Sequence, residues 1–337
     1  MFFLLIFLLF YFQAVFSKKI NWTFFWCVAF FLVLFAALRP SGMDADYEHY
    51  VELYEDPKFF EEGVERIFVF LALLCPDLTI LLLIYAILGV TLKLLAIQKM
   101  SPYPWFSLLI YFSHYYFLHE VTQIRVGVSC GFILLSLYYV CNEKRIHAWV
   151  SMALAIMFHY SALFGCVFLF IDKEKPRFKL YMIMSCISFV KFVSGYSIVQ
   201  SITSVPIGLV QERLSRYQYT TSLGTYEGIN MINVAFWGQI IITLLSFYLL
   251  TKIENKYAVL LTKVYSIGLI AYMFLAEIPA MAFRISEICF VVEIILLPML
   301  ITIARPIQKG KILLSVYSSM LFVLYQIILK TVKFYPF

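Results

Sequence analysis

The chain has 337 residues, 63% of them hydrophobic and 14% charged, with a formal net charge of +6 at pH 7 and a mean hydropathy of +0.89. Soluble domains carry about 45–50% apolar and about 25% charged residues, so the composition excludes a soluble enzyme, a disordered chain and a sequence-reading nucleic-acid binder. What remains is a polytopic membrane protein with room for about ten spans.

The first apolar run, 2–16, has neither a basic leader nor a small-residue cleavage site, and it reads as a short first span rather than a removed signal peptide. Further runs follow at 22–38, 77–97, 104–119, 124–141, 180–198, 230–251, 257–276, 285–304 and 311–330. Helices are expected throughout, because a lone span must satisfy its own backbone hydrogen bonds. The runs lack the alternation of a membrane barrel, and no internal repeat is visible. The expected fold is therefore all-α: one transmembrane domain over 1–337 with about 10–12 helices. The seven cysteines are scattered, without metal-ligand or disulfide spacing.

Lysine and arginine set the orientation. Lys18 and Lys19, Lys99, Lys144 and Arg145, the 173–179 cluster, Lys252 and Lys256, and the 305–311 cluster occupy short loops. With these in the cytoplasm, outer loops fall at about 39–66 and 199–229. The apolar run 146–171 then joins two cytoplasmic loops, yet it is too short for two full helices of about 20 residues. A broken or re-entrant hairpin turning near His159-Tyr160-Ser161 resolves the conflict; one loop breaking the rule is the alternative. Lys93, Lys191 and Lys263 are placed within spans and read as snorkelling toward the nearest end.

The outer loops carry the chemistry-bearing residues. Nine of the twenty acidic residues lie in 39–66. The stretch from Glu52 to Glu65 reads as a solvated face. Arg39, ending a span, is followed by Gly42, Asp44 and Asp46, a tight turn that sets carboxylates beside a guanidinium. Two readings stand: Arg39 binds an anion and Asp44 or Asp46 acts as a base, or the loop is solvated and Arg39 snorkels. Farther on, His119-Glu120 precedes Arg125, which heads a run with no further charge until Glu143. A charge in mid-bilayer costs about 2.5–3.5 kcal/mol on insertion scales, so Arg125 either forks onto phosphate oxygens or is neutralised by Glu120. His159, at the expected break, is either a helix contact or a proton acceptor near neutral pH. Arg284 and Glu287 stand at i and i+3, and Glu293 lies deeper and requires a partner.

Outward arginines and carboxylates without a metal motif suit transfer from a polyprenyl-diphosphate-linked sugar. The leaving group is good, the acceptor hydroxyl must be deprotonated, and preorganised arginines can stabilise the departing diphosphate without a divalent ion. The runs Arg39-Pro-Ser-Gly-Met-Asp44-Ala-Asp46-Tyr47, Phe117-Leu-His-Glu-Val-Thr-Gln-Ile-Arg125-Val-Gly127 and Phe158-His159-Tyr-Ser161, with Phe283-Arg284 in the final third, resemble the Wzy/EpsG-type polysaccharide polymerases. The resemblance implies a GT-C-like helical bundle in the bacterial inner membrane. It further implies an O-antigen polymerase joining polyprenyl-diphosphate-linked oligosaccharide units at the outer face. Carried over, Asp44 and His159 are the candidate bases, while Arg39, Arg125, Arg284, Arg213, Arg216 and Tyr217 bind diphosphate or sugar. No metal or cofactor is implied; membrane lipid and a chain-length regulator are the expected partners, and nucleic acid is not. A lipid-linked oligosaccharide flippase, an O-antigen ligase and a GT-C glycosyltransferase are the competing assignments.

Overall fold

In the computed structural model, which describes residues 2–17, 19–57, 64–197, 229 and 233–332, every regular element is a helix. The exception among these residues is one antiparallel bridge between Asp44 and Val332. Several helices begin at a polar side chain that caps the first turn. After α1 (Phe2–Phe16), Asn21 opens α2 (Trp22–Ala37) by accepting from the Phe24 amide at 3.1 Å. The polar stretch contributes the short helices α3 (Tyr47–Glu55) and α4 (Arg66–Leu74). Asp77 caps α5 (Leu78–Met100) through the Ile80 amide at 2.9 Å. Pro104 starts α6 (Pro104–Ile110), which widens directly into a π-helix over Tyr111–Thr122. Next come α7 (Ile124–Cys141), α8 (Arg145–Phe158) and a 3₁₀ segment, Tyr160–Phe170. The chain continues with α9 (Phe178–Ser194), α10 (Val234–Leu249), α11 (Lys256–Phe274) and α12 (Pro279–Phe290). It ends with α13 (Glu293–Leu300) and α14 (Ile307–Phe322), the latter extended by a π-helical turn, Val323–Ile328.

Among the described residues, four helical stretches are long and apolar enough to cross a membrane: Leu78–Met100, Ile124–Cys141, Lys256–Phe274 and Ile307–Ile328. Five further apolar helices are shorter than a full span. The protein is thus an all-helical, multi-pass membrane protein. The chain divides into two compact units, Met1–Phe170 with Val291–Phe337, and Ile171–Phe290.

In the first unit, aromatic rings fill the space between α1 and the π-helix. Phe3 meets Phe117 edge-on at 5.1 Å, Phe10 meets Phe112 at 5.1 Å, and Phe7 stacks on Phe322 at 4.5 Å. Such pairs contribute about 0.5–1.5 kcal/mol each beyond area burial. α7 runs antiparallel to α8, tied by Ser129 Oγ donating to the Ala155 carbonyl and Ser136 Oγ to that of Ala148, both at 2.9 Å. The run 146–171 is a hairpin. The Trp149 and Phe170 rings lie 5.8 Å apart, and Met152 packs over Gly165, so the legs run antiparallel about His159. The two legs match because their rises differ: 14 residues at 1.5 Å span about 21 Å, and 11 residues at 2.0 Å span about 22 Å.

The second unit packs α9 along α11 around Tyr181, Phe247 and Ile270. Two of its lysines reach acceptors in or next to loops, as snorkelling side chains do. Lys191 Nζ bonds Glu277 Oε1 at 3.0 Å and the Phe274 carbonyl at 2.9 Å, and Lys263 donates to the Asp172 carbonyl. Lys93 of the first unit departs from the expected snorkelling. It is wholly buried, 2.5 Å from Glu120 Oε1 and 2.6 Å from the Gly127 carbonyl. A membrane interior leaves an ammonium group no water, so the carboxylate 27 residues away becomes its counter-ion.

Candidate functional site

The loop after α2 folds back on itself. Gly42, at φ +74°, takes the left-handed turn that a side chain disfavours, and returns Asp44 to Arg39. Arg39 Nε donates to Asp44 Oδ2 at 2.8 Å, with both side chains fully buried. Nη1 donates to the Ala36 carbonyl at 2.8 Å, whereas Nη2 has no partner among the described residues. Asp44 Oδ1 accepts from the Asp46 amide at 3.0 Å, so both carboxylate oxygens are engaged. Burial raises the Asp44 carboxyl against the opposing charge and hydrogen bond of Arg39. Burial, followed by the Asp44 charge, raises Asp46 as well.

A second group converges on Glu65, the residue preceding α4. Its carboxylate does not cap that helix. Instead Oε2 accepts from Arg125 Nη1 at 2.5 Å, and Oε1 meets His159 Nδ1 at 2.8 Å and the Tyr160 amide at 3.2 Å. Arg125 comes from the first turn of α7. His159 comes from the hairpin tip, where its own backbone turns extended and ends α8. Burial works to raise the Glu65 carboxyl, but the contact with His159 and the Arg125 and His159 charges outweigh it and hold its pKa down at about 2. Both ring nitrogens of His159 are buried without a hydrogen-bond partner among the described residues, the approach of Nδ1 to Glu65 being an ion-pair contact. The Arg125 guanidinium lies 5.8 Å over the Phe68 ring. The two groups form one electrostatic neighbourhood, because Asp46 and Tyr50 each feel both Arg39 and Arg125. Burial pushes the Tyr50 phenol up to about 12.

This pairing of a guanidinium loop with a hairpin-borne histidine sits in a chain whose residues 22–337 match the model of the EpsG family. The chain belongs to the EpsG family. Membership points to a polymerase-type, glycosyltransferase-like role in polysaccharide synthesis. The EpsG-family chain matches no curated protein and no solved structure.

Within this EpsG protein, Arg39, Asp44, Arg125 and His159 lie together in the first unit. Arg284 lies exposed on α12 of the second unit. Arg213, Arg216 and Tyr217 lie outside the described residues. Two expectations change. Glu120 does not neutralise Arg125, since it is committed to Lys93 and to the Tyr111 hydroxyl at 2.9 Å. Glu65 is not part of a solvated acidic face, because it is 3% exposed and binds Arg125 and His159. One signal could have singled it out: it is the acidic residue directly before Arg66 and a short apolar helix. Among the described residues, no three His, Cys, Asp or Glu side chains gather as a metal site.

Proposed function

We propose that this protein is a polysaccharide polymerase that joins polyprenyl-diphosphate-linked oligosaccharide units at the outer face of the bacterial inner membrane. The growing chain moves from its own lipid carrier onto the incoming unit. A hydroxyl of the incoming unit attacks the anomeric carbon of the growing chain. The bond from that carbon to the diphosphate oxygen breaks, its electron pair leaves with the diphosphate, and the hydroxyl proton moves to the base.

The observation that carries this reading is the state of His159. Glu65 Oε1 lies 2.8 Å from Nδ1 as an ion-pair contact, and neither ring nitrogen has a partner at hydrogen-bond geometry among the described residues. A carboxylate at Nδ1 orients the ring, leaves Nε2 as the proton acceptor and stabilises the imidazolium that forms. Asp44 is the weaker base because Arg39 and the Asp46 amide occupy its oxygens; it positions Arg39. The unpartnered Nη2 of Arg39 and the guanidinium of Arg125 supply charge for the departing diphosphate.

The test is His159→Asn, which keeps a donor where Nδ1 meets Glu65 and removes Nε2. In a strain lacking the chromosomal gene, the variant at wild-type expression reduces the surface polysaccharide ladder to single repeats, with turnover down about 10²–10⁴-fold. A full ladder removes His159 from the chemistry. In the deletion strain itself, loss of all surface repeats with lipid-linked units retained inside marks a flippase. Long lipid-linked polymer left unattached marks a ligase.

A further inference from the structure

Among the polar groups near the site that neither the ion pairs nor the proton transfer uses is the hydroxyl of Tyr85. Tyr85 projects from α5 and is 1% exposed, its ring held between Phe68 at 5.9 Å and Phe158 at 5.6 Å. Its hydroxyl is buried and has no hydrogen-bond partner among the described residues. The charges and dipoles that reach it include those of the site, Arg125, Tyr50 and Glu65, together with Cys75. Glu65 does not satisfy it, since that carboxylate is taken by Arg125, His159 and the Tyr160 amide. A buried hydroxyl without a partner is costly, and a phenylalanine of the same shape would avoid the cost. Beside a guanidinium, a phenol proton is best directed at an anionic oxygen that the guanidinium also reaches.

We infer that Tyr85 is a diphosphate-binding residue, donating its hydroxyl hydrogen bond to a phosphate oxygen of the lipid-linked substrate alongside Arg125. The inference rests on the polymerase reading above and adds a neutral donor, carried by a different helix, to a site otherwise built from arginines. Arg39 Nη2 and Ser161 Oγ are likewise buried without partners among the described residues. Tyr85 is therefore one of several donors in this unit that the fold itself leaves unused.

Tyr85→Phe tests this, because it removes one oxygen and leaves the ring between Phe68 and Phe158. The full chain is reconstituted in lipid nanodiscs and titrated with undecaprenyl diphosphate, and its melting temperature is measured without ligand. The expected result is affinity weakened about 10–100-fold, the worth of one hydrogen bond to a charged group, with a melting temperature equal to or above that of the wild type. Two results overturn the inference. Unchanged affinity in a variant whose wild type binds shows that the hydroxyl does not face the ligand. A lowered melting temperature shows that the hydroxyl is satisfied within the fold. Failure of the wild type to bind undecaprenyl diphosphate sinks the polymerase reading itself, so the two failures are distinct.

Discussion

Glu65 gathers Arg125 from 60 residues away, and His159 and the Tyr160 amide from almost 100 residues away, onto one carboxylate. That explains why local sequence places Arg125 and His159 as candidates but not the group that orients them. Arg39 and Asp44 are five residues apart around Gly42, and their pairing is legible from the turn. Glu65 instead ends an acidic run whose other members are exposed or outside the described residues, and only the folded hairpin separates it from them. Its protonation gives a pH signature. The folded-state pKa is lowered from 4.5 to about 2, so the stabilisation is complete above about 4.5 and fades as pH falls toward 2. Glu65→Gln should cost about 1.5–3 kcal/mol at pH 7, the worth of a hydrogen bond to a charged group. Melting curves in detergent should show that deficit constant from pH 8 to 5 and shrinking below pH 4.5. A deficit independent of pH across the acid range would mean that the charge on Glu65 is not what holds Arg125 and His159.

The element that sets Arg125 in place is the junction between the π-helix and α7. Gly127 lies against the His119 carbonyl, where a Cβ would collide, and Gly89 of α5 leaves room for Glu120. The close approach lets Lys93 reach both Glu120 Oε1 and the Gly127 carbonyl, pinning α5, the π-helix and the first turn of α7 together. Sequence places His119, Glu120 and Gly127 near Arg125, but it cannot show that Glu120 points away from that arginine, because a π-helix shifts the register of every side chain after it. Removing one member of a buried pair leaves an uncompensated charge, whereas replacing both with apolar side chains of similar volume is often neutral. Lys93→Met and Glu120→Leu should therefore each destabilise the protein by about 3–5 kcal/mol, and the double variant should recover most of that loss. Unfolding in mixed detergent measures all three. Strictly additive losses would show that the two groups do not act as a pair.

At the scale of the whole chain, composition and the positive-inside rule carry most of the architecture, because both report the solvent rather than a particular contact. The apolar runs become helices, although many are shorter than full spans. Pro104 restarts the chain after α5, Pro298 lies inside α13, and the run from 104 winds through a π-helix to Thr122. Charge left two options for 146–171, a return to the side it left or one basic loop breaking the rule, and the hairpin about His159, with legs of equal reach, fits the first. The two units meet at the charged stretch 172–179, which reads in sequence as one more basic loop between apolar runs and so does not announce a boundary. The hairpin has a consequence for topology. Its ends lie on one side, so Lys144, just before α8, and Lys173, three residues past the 3₁₀ leg, should face the same compartment. Glu52, exposed on α3 at the far end of the charged loop, should face the other. In a cysteine-free background, Glu52→Cys should react with a membrane-impermeant maleimide in intact spheroplasts. Lys144→Cys and Lys173→Cys should both react only after permeabilisation. Reaction of Lys144→Cys and Lys173→Cys from opposite sides would make 146–171 a single crossing. It would also carry the tip histidine away from the surface where the arginine loop lies, which the 2.8 Å contact between His159 and Glu65 forbids.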